Sequence, residues 1–269
     1  MRRSLALISL VIVSAVPAAA QTVYASGPDT LRFREITRGE IRLTTPQGEL
    51  PMRSEHDATV AVVRLPGDTA RAWYEALTLG MTSPMGDRRP ATDAALRAPF
   101  TLLLDTRGRA SLISAPTFPT SFEGVTDLSH QFDDFFVRLP AQPLRVGLAW
   151  SDTSTRTDST AERFMRWHAV AAYRVERDTM VEGVPALIVS MRQRLQSRAE
   201  GPVPGQPVRA QTTMTGTDDG YFVFAPKLGR LLARRREGRL AGDLIMRGSA
   251  GEMTLKQTYT YTNALDAVR

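Results

Sequence analysis

From Met253 to Thr262 the chain alternates with a period of two. Met253, Leu255, Gln257, Tyr259 and Tyr261 share one phase, and Thr254, Lys256, Thr258, Thr260 and Thr262 the other. Only extended backbone sends successive side chains to opposite faces, so this pattern specifies a half-buried antiparallel strand. Ala186 to Leu195 repeats it, with Leu187, Val189, Met191 and Leu195 set against Ser190, Arg192 and Arg194. Trp167, Ala169, Ala171, Tyr173 and Val175 form a third such face, opposed by His168, Arg174 and Glu176. Glu182-Gly183, Glu237-Gly238 and the stretch Asp105-Thr106-Arg107-Gly108 separate strand-like runs and predict hairpin turns. The Gly-Pro stretch at 201–207 predicts an exposed loop tip, and Thr82 to Pro99, with its three prolines, an irregular stretch holding a short helix at Ala91 to Arg97.

One longer segment follows a different period. Leu128, Phe132, Phe135, Phe136 and Leu139 fall at helical spacing, with Asp127 as an N-cap and Pro140 as a stop, while His130, Asp133, Asp134 and Arg138 take the polar side. The expected fold is therefore mainly β: long curved antiparallel strands, in one bent sheet or two, with an amphipathic helix over 127–139 packed on the concave side. Phe100 to Arg109 and Tyr221 to Arg230 share an aromatic start, an apolar run and a Gly-Arg at the same offset. That faint repeat suggests two pseudo-repeated halves, 21–139 and 140–269, following a leader at 1–20.

The leader has the parts of a secretory signal: Arg2 and Arg3, an apolar run from Leu5 to Val16, and small residues Ala18 to Ala20 before a cleavage site near Ala20-Gln21. Its apolar run is too short to cross a bilayer. A cleaved periplasmic or secreted product with no membrane span is expected. The chain has no Cys, so disulfides, thiolate metal sites and lipidation of an amino-terminal cysteine are excluded, and stability must come from burial. The net charge is +6, acids are interspersed among the arginines, and nucleic-acid binding is not indicated.

Catalytic signatures are missing. The three histidines, His56, His130 and His168, lack metal-ligand spacing, there is no Gly-x-Ser-x-Gly, and Asp218-Asp219-Gly220 fits a tight turn better than a calcium loop. Asp152, Asp158 and Glu162 lie in a Ser/Thr-rich stretch expected to be a solvated loop. No catalytic residue, metal or cofactor is assigned. Arg234, Arg236 and Arg239 are candidates for a basic surface patch on a hairpin, and Trp150, Trp167, Tyr173, Phe132 and Phe136 for the wall of a ligand site between helix and sheet.

Asp105, Gly108, Leu139, Pro140, Pro143, Gly147 and Trp150, taken in order, resemble the motif series of a group of uncharacterised exported bacterial β-proteins. The resemblance spans roughly 30–262 and implies a fold without naming an activity. More distantly, a helix on long curved strands is similar to the half-barrel of periplasmic lipoprotein carriers. The expected function is a noncatalytic envelope protein binding an apolar or amphipathic ligand between helix and sheet. The alternatives are a structural or protein-interaction module of the envelope, whose partner is another envelope protein, and an unrecognised hydrolase.

Overall fold

The computed structural model describes residues 22–268 apart from 26–28, 85, 119–121, 123–127, 129–130, 133, 161, 204–205 and 250. The leader, Asp127, His130 and Asp133 lie outside the described residues. Among the described residues there are twelve strands: β1 (Leu31–Thr45), β2 (Gly48–Arg64), β3 (Thr69–Ser83), β4 (Gly86–Arg88), β5 (Phe100–Leu104), β6 (Ala110–Ser114), β7 (Ala149–Ser159), β8 (Phe164–Val181), β9 (Val184–Pro202), β10 (Val208–Ala225), β11 (Arg230–Gly248) and β12 (Gly251–Val268). All join one antiparallel sheet in the order β6-β5-β3-β2-β1-β12-β11-β10-β9-β8-β7, with β4 attached to β3. Two meanders thus meet where β1 pairs with β12, from Arg32 opposite Val268 to Thr44 opposite Lys256.

Turn chemistry explains three of the connections. Glu182 (φ 48°) and Gly183 (φ 81°) both occupy the left-handed region that a two-residue hairpin demands, linking β8 to β9. Asp105 closes the β5–β6 turn by accepting from the backbone N–H groups of Arg107 and Arg109. The Gly-Pro stretch separates β9 from β10.

Other glycines have a different purpose. Glu237-Gly238 does not form a turn, because β11 runs straight through it; a Cβ at Gly238 would collide with the ring of Tyr261 on β12. Gly39 on β1 makes the same allowance, since a Cβ there would lie 2.7 Å from the Tyr259 ring. Bare backbone on either side lets the two tyrosine rings lie along the sheet, 5.4 Å apart and nearly parallel. Asp218-Asp219-Gly220 is likewise mid-strand in β10, and the Ser/Thr-rich stretch expected as a loop forms β7 up to Ser159.

The amphipathic helix expected over 127–139 is not formed. Among the described residues there is no α-helix; a 3-10 turn lies at Asp93–Ala95, Gln131, Phe132, Asp134 and Phe135 are in turns, and Phe136 is in a bend. Carbonyls along the segment bond to the rest of the fold; those of Asp134 and Phe135 are ones that a helix ending at Leu139 would pair internally, and those of Val137 to Leu139 belong to what would be its last turn. Arg234 donates to the carbonyls of Asp134 (2.8 Å) and Phe135 (2.7 Å), the Tyr24 hydroxyl to Val137 (3.0 Å), the Trp150 indole to Arg138 (3.1 Å), and Arg107 to Leu139 (3.0 Å). Freed from helical geometry, the segment buries Leu128, Phe132, Phe135, Phe136, Val137 and Leu139, including a valine that a helix would have turned to the polar side. Each buried phenylalanine contributes roughly 1.5–3 kcal/mol.

That segment plugs one end of the curled sheet. Its aromatic rings meet Phe33, Tyr74 and Phe100 from one meander, and Tyr24 touches both Phe136 and Phe224 of the other. The two Gly-Arg corners of the faint repeat flank the same short stretch: Tyr24 N–H donates to Thr106 O (2.7 Å) and Ala25 N–H to Gly229 O (2.9 Å). The aromatic starts of the repeat do not correspond, since Phe100 is fully buried and Tyr221 is exposed.

The opposite face of the central strands is charged. Arg34 pairs with Asp57, Arg38 with Glu55, Arg192 with Asp219, Arg235 with Asp266 and Lys256 with Asp243, all at least partly exposed. A barrel embedded in lipid has the reverse alternation, apolar outward.

Candidate functional site

Register places a polar belt across the inner face of the sheet. One row runs His56, Thr37, Asn263, Arg236, Gly220, Met191, Tyr173, Trp150 from β2 to β7. The row beside it carries Glu35, Leu265, Arg234 and Phe222. Below the belt lies the main apolar core; beyond it a second cluster of Ala169, Leu195, Met214 and Leu240 packs with Trp167, Tyr259 and Tyr261.

Glu35 anchors the belt at 2% exposure. Its carboxylate accepts from Gln131 Nε2 (2.6 Å), Asn263 Nδ2 (2.8 Å) and Arg234 Nη2 (3.4 Å), joining β1, β11, β12 and the plug segment. Burial, and then the nearby Arg236, lower the Arg234 pKa, while Glu35 opposes the shift. Asp218 is fully buried and receives Arg236 Nε at 2.7 Å. Burial works against the charge on Arg236, but Tyr261 and Asp218 outweigh it and the pKa rises. His56 is held below its usual pKa by burial, although Glu35 (4.0 Å away) and Asp57 pull the other way. Burial pushes the Tyr173 phenol up to about 12.

Between belt, plug and second cluster there is open space. One cavity of about 290 Å³ is walled by Trp167, Tyr259 and Tyr261 and by Arg156, Arg234 and Arg236. A neighbouring cavity of about 310 Å³ adds Ile41, Leu79, Met81 and Met214, and shares Thr37, Gln131 and Tyr259 with the first. A third, of about 270 Å³, shares Asp134, Arg156 and Trp167 with the first and reaches the gap between β6 and β7. The Trp167 indole N–H and the Gln257 Oε1 are buried there without a hydrogen-bond partner. The arrangement combines aromatic and thioether surface with fixed polar groups; at the outer rim of the third cavity the Thr155 hydroxyl lies 2.8 Å from His168 Nδ1, with Thr155 exposed and His168 partly so. Among the described residues no group of three His, Cys, Asp or Glu side chains is placed to hold a metal ion.

The residues singled out from sequence distribute unevenly. Trp167 lines two of the cavities. Trp150 and Tyr173 stack on each other at 5.0 Å at the edge of the core, and Phe132 and Phe136 are consumed in packing the plug. Arg234 and Arg236 turn inward rather than forming a surface patch: their side chains are 4% and 15% exposed. Arg239 points outward into a larger recess of about 730 Å³ on the opposite face, where Arg38, Glu40, Arg53 and Glu55 also lie. That recess has solvated charges and no buried apolar wall, so it is a weaker candidate despite its size. Glu35, Gln131 and Asn263 were not expected at the site. The available signal was the phase of β1, in which Glu35 follows Phe33 on the apolar side.

No protein-family model matches the sequence, and no curated protein matches it. Among solved structures, the crystal structure of Neisserial surface protein A (NspA) is 8% identical, covering 88% of this chain and 97% of that one at a TM-score of 0.25. The translocator domain of autotransporter NalP from Neisseria meningitidis is 7% identical over 90% of this chain and 89% of that one, at a TM-score of 0.19. Overlap at this level carries no argument about fold or function; the chain is a cysteine-free antiparallel β-protein of one twelve-stranded sheet.

Proposed function

We propose that this chain is an exported, noncatalytic envelope protein that holds an apolar or amphipathic small molecule between the plug segment and the inner face of the sheet. The observation that carries the proposal is the set of three adjoining cavities, walled by Trp167, Tyr259, Tyr261, Met214 and Ile41 and bordered by the buried polar belt. Their individual volumes sit near the lower bound for small-molecule sites, and together they reach the size of a drug or single-chain lipid. Apolar surface moved from water into this space gains about 25 cal/mol per Å². Export is supported by the leader pattern of residues 1–20.

Binding is tested with a dansyl-labelled fatty acid added to the purified protein. Energy transfer from tryptophan to the bound label is expected, and Trp167→Ala, which removes apolar wall from two of the cavities, should weaken binding measured by dialysis by about tenfold. Absence of binding by dialysis, together with no small molecule released on denaturing the purified protein, would overturn the proposal.

A further inference from the structure

Among the described residues the sheet is not closed. β6 and β7 are its two edges, and they face each other without a ladder between them. The cavity of about 270 Å³ occupies this seam: Ala110, Ser111 and Leu112 of β6 line one side, Ser154, Thr155 and Arg156 of β7 the other. Its inner end is formed by Asp134, Arg156 and Trp167, which also line the central cavity. A continuous path therefore leads from the edge of the sheet to the aromatic wall, with apolar lining from Ala110, Leu112 and Trp167.

A carboxylate ties the seam. Asp152 on β7 accepts from Arg109 Nη2 (3.0 Å), on the residue just before β6, and from Arg138 Nη1 (2.8 Å) at the end of the plug. The Asp152 and Arg138 side chains are each less than one-fifth exposed, whereas Arg109 is half exposed. Among the described residues, a partly exposed ion pair across an unladdered edge is a weak tie, because solvent screens it. The other main strands are joined by ladders, short ones of four residue pairs at β3–β5 and β5–β6 and long ones elsewhere, so the unladdered seam is where the wall parts at least cost.

We infer that the β6–β7 seam is the lateral portal through which the ligand enters and leaves, and that Asp152 is its latch. This rests on the reading of the inner cavities as a binding site. The seam admits a molecule with a flexible apolar chain, which passes between the strands sideways, while its polar end stays near the arginine-bearing rim. Asp152 is a positioning residue: it acts through Arg109 and Arg138 and need not touch the ligand.

The test uses the absence of native cysteines. Ser111→Cys and Thr155→Cys, both exposed positions on opposite lips, are joined after folding with a bismaleimide whose spacer contains a disulfide, and exchange of the dansyl fatty acid is followed by stopped flow. Cross-linking is expected to slow uptake and release alike by about tenfold or more with the equilibrium constant within about twofold, as for a gated path, and reduction should restore the rate. Asp152→Asn, without any cross-link, should exchange several-fold faster than the parent. Unchanged rates in fully cross-linked protein would overturn the portal while leaving the binding reading intact. Unchanged or slower exchange in Asp152→Asn would overturn the latch. No binding by the protein before cross-linking would overturn the binding reading itself and the portal with it.

Discussion

Arg234 should be the costliest single polar side chain to remove. It is buried to 4% exposure and donates to four acceptors: the carbonyls of Asp134 and Phe135, the Asn263 Oδ1 at 3.1 Å and Glu35 at 3.4 Å. Arg234→Met conserves much of the stem volume but leaves the Glu35 carboxylate buried without its cation and two plug carbonyls without donors. Breaking a buried pair by removing one partner costs about 3–5 kcal/mol, a large share of the roughly 5–15 kcal/mol that holds a domain together. Glu35→Met should cost a comparable amount by stranding the guanidinium. The double variant removes both charges, so it should be more stable than Arg234→Met alone, with a coupling of about 2 kcal/mol or more in the cycle. Urea denaturation followed by far-ultraviolet circular dichroism supplies all four stabilities. If Arg234→Met lies within about 1 kcal/mol of the parent, or if the two single losses simply add, the argument that this pair and its carbonyl contacts hold the plug is refuted.

His56 predicts a pH dependence. Because burial depresses its folded pKa, the unfolded chain binds more protons near pH 6, so this contribution is complete above about pH 6.5 and is lost as pH falls toward the folded value. The parent's urea midpoint should therefore decline from about pH 7 to pH 5, and His56→Gln should flatten that decline; parallel slopes would contradict the assignment. Two glycines of nearly equal φ should respond differently to alanine. At Gly108 (φ 85°) a Cβ would collide with the Val137 carbonyl and lie 2.6 Å from the Tyr24 ring, whereas at Gly183 (φ 81°) nothing is within 4 Å. Thermal melts should show Gly183→Ala costing about 1–2 kcal/mol, the left-handed penalty alone, and Gly108→Ala clearly more; equal losses would mean the corner yields to the clash.

Alternation made the strands legible because each has one face on the core and one in water, as in β8, β9 and β12. The same logic failed wherever a residue had a tertiary reason invisible along the chain. Gly238 and Gly220 look like turn residues but clear space for neighbouring strands, and Gly238 in particular for the Tyr261 ring. The 128–139 stretch has helical spacing, yet Arg234, Tyr24, Arg107 and Trp150, far away in sequence, claim its carbonyls. Arg234 and Arg236 were legible as sharing a face; that the face is the interior depends on Glu35 and Asp218 lying opposite them, which only register reveals. Trp167 was visible as a candidate because it sits on an apolar phase, but periodicity says nothing about whether the space above it is filled.

The pairing of β1 with β12 has a consequence for how the chain acquires its structure. Each meander is assembled from near neighbours and can form early, but the two are knitted together only when residues more than two hundred positions apart come into register. Such high contact order makes the closing step slow, because the entropy of a very long loop is lost before any of its contacts form. A chain threaded across a membrane from its amino-terminal end would thus keep β1 as an open edge until its last strand arrived. The late-arriving strand, rather than the plug, would then decide when exposure to aggregation ends.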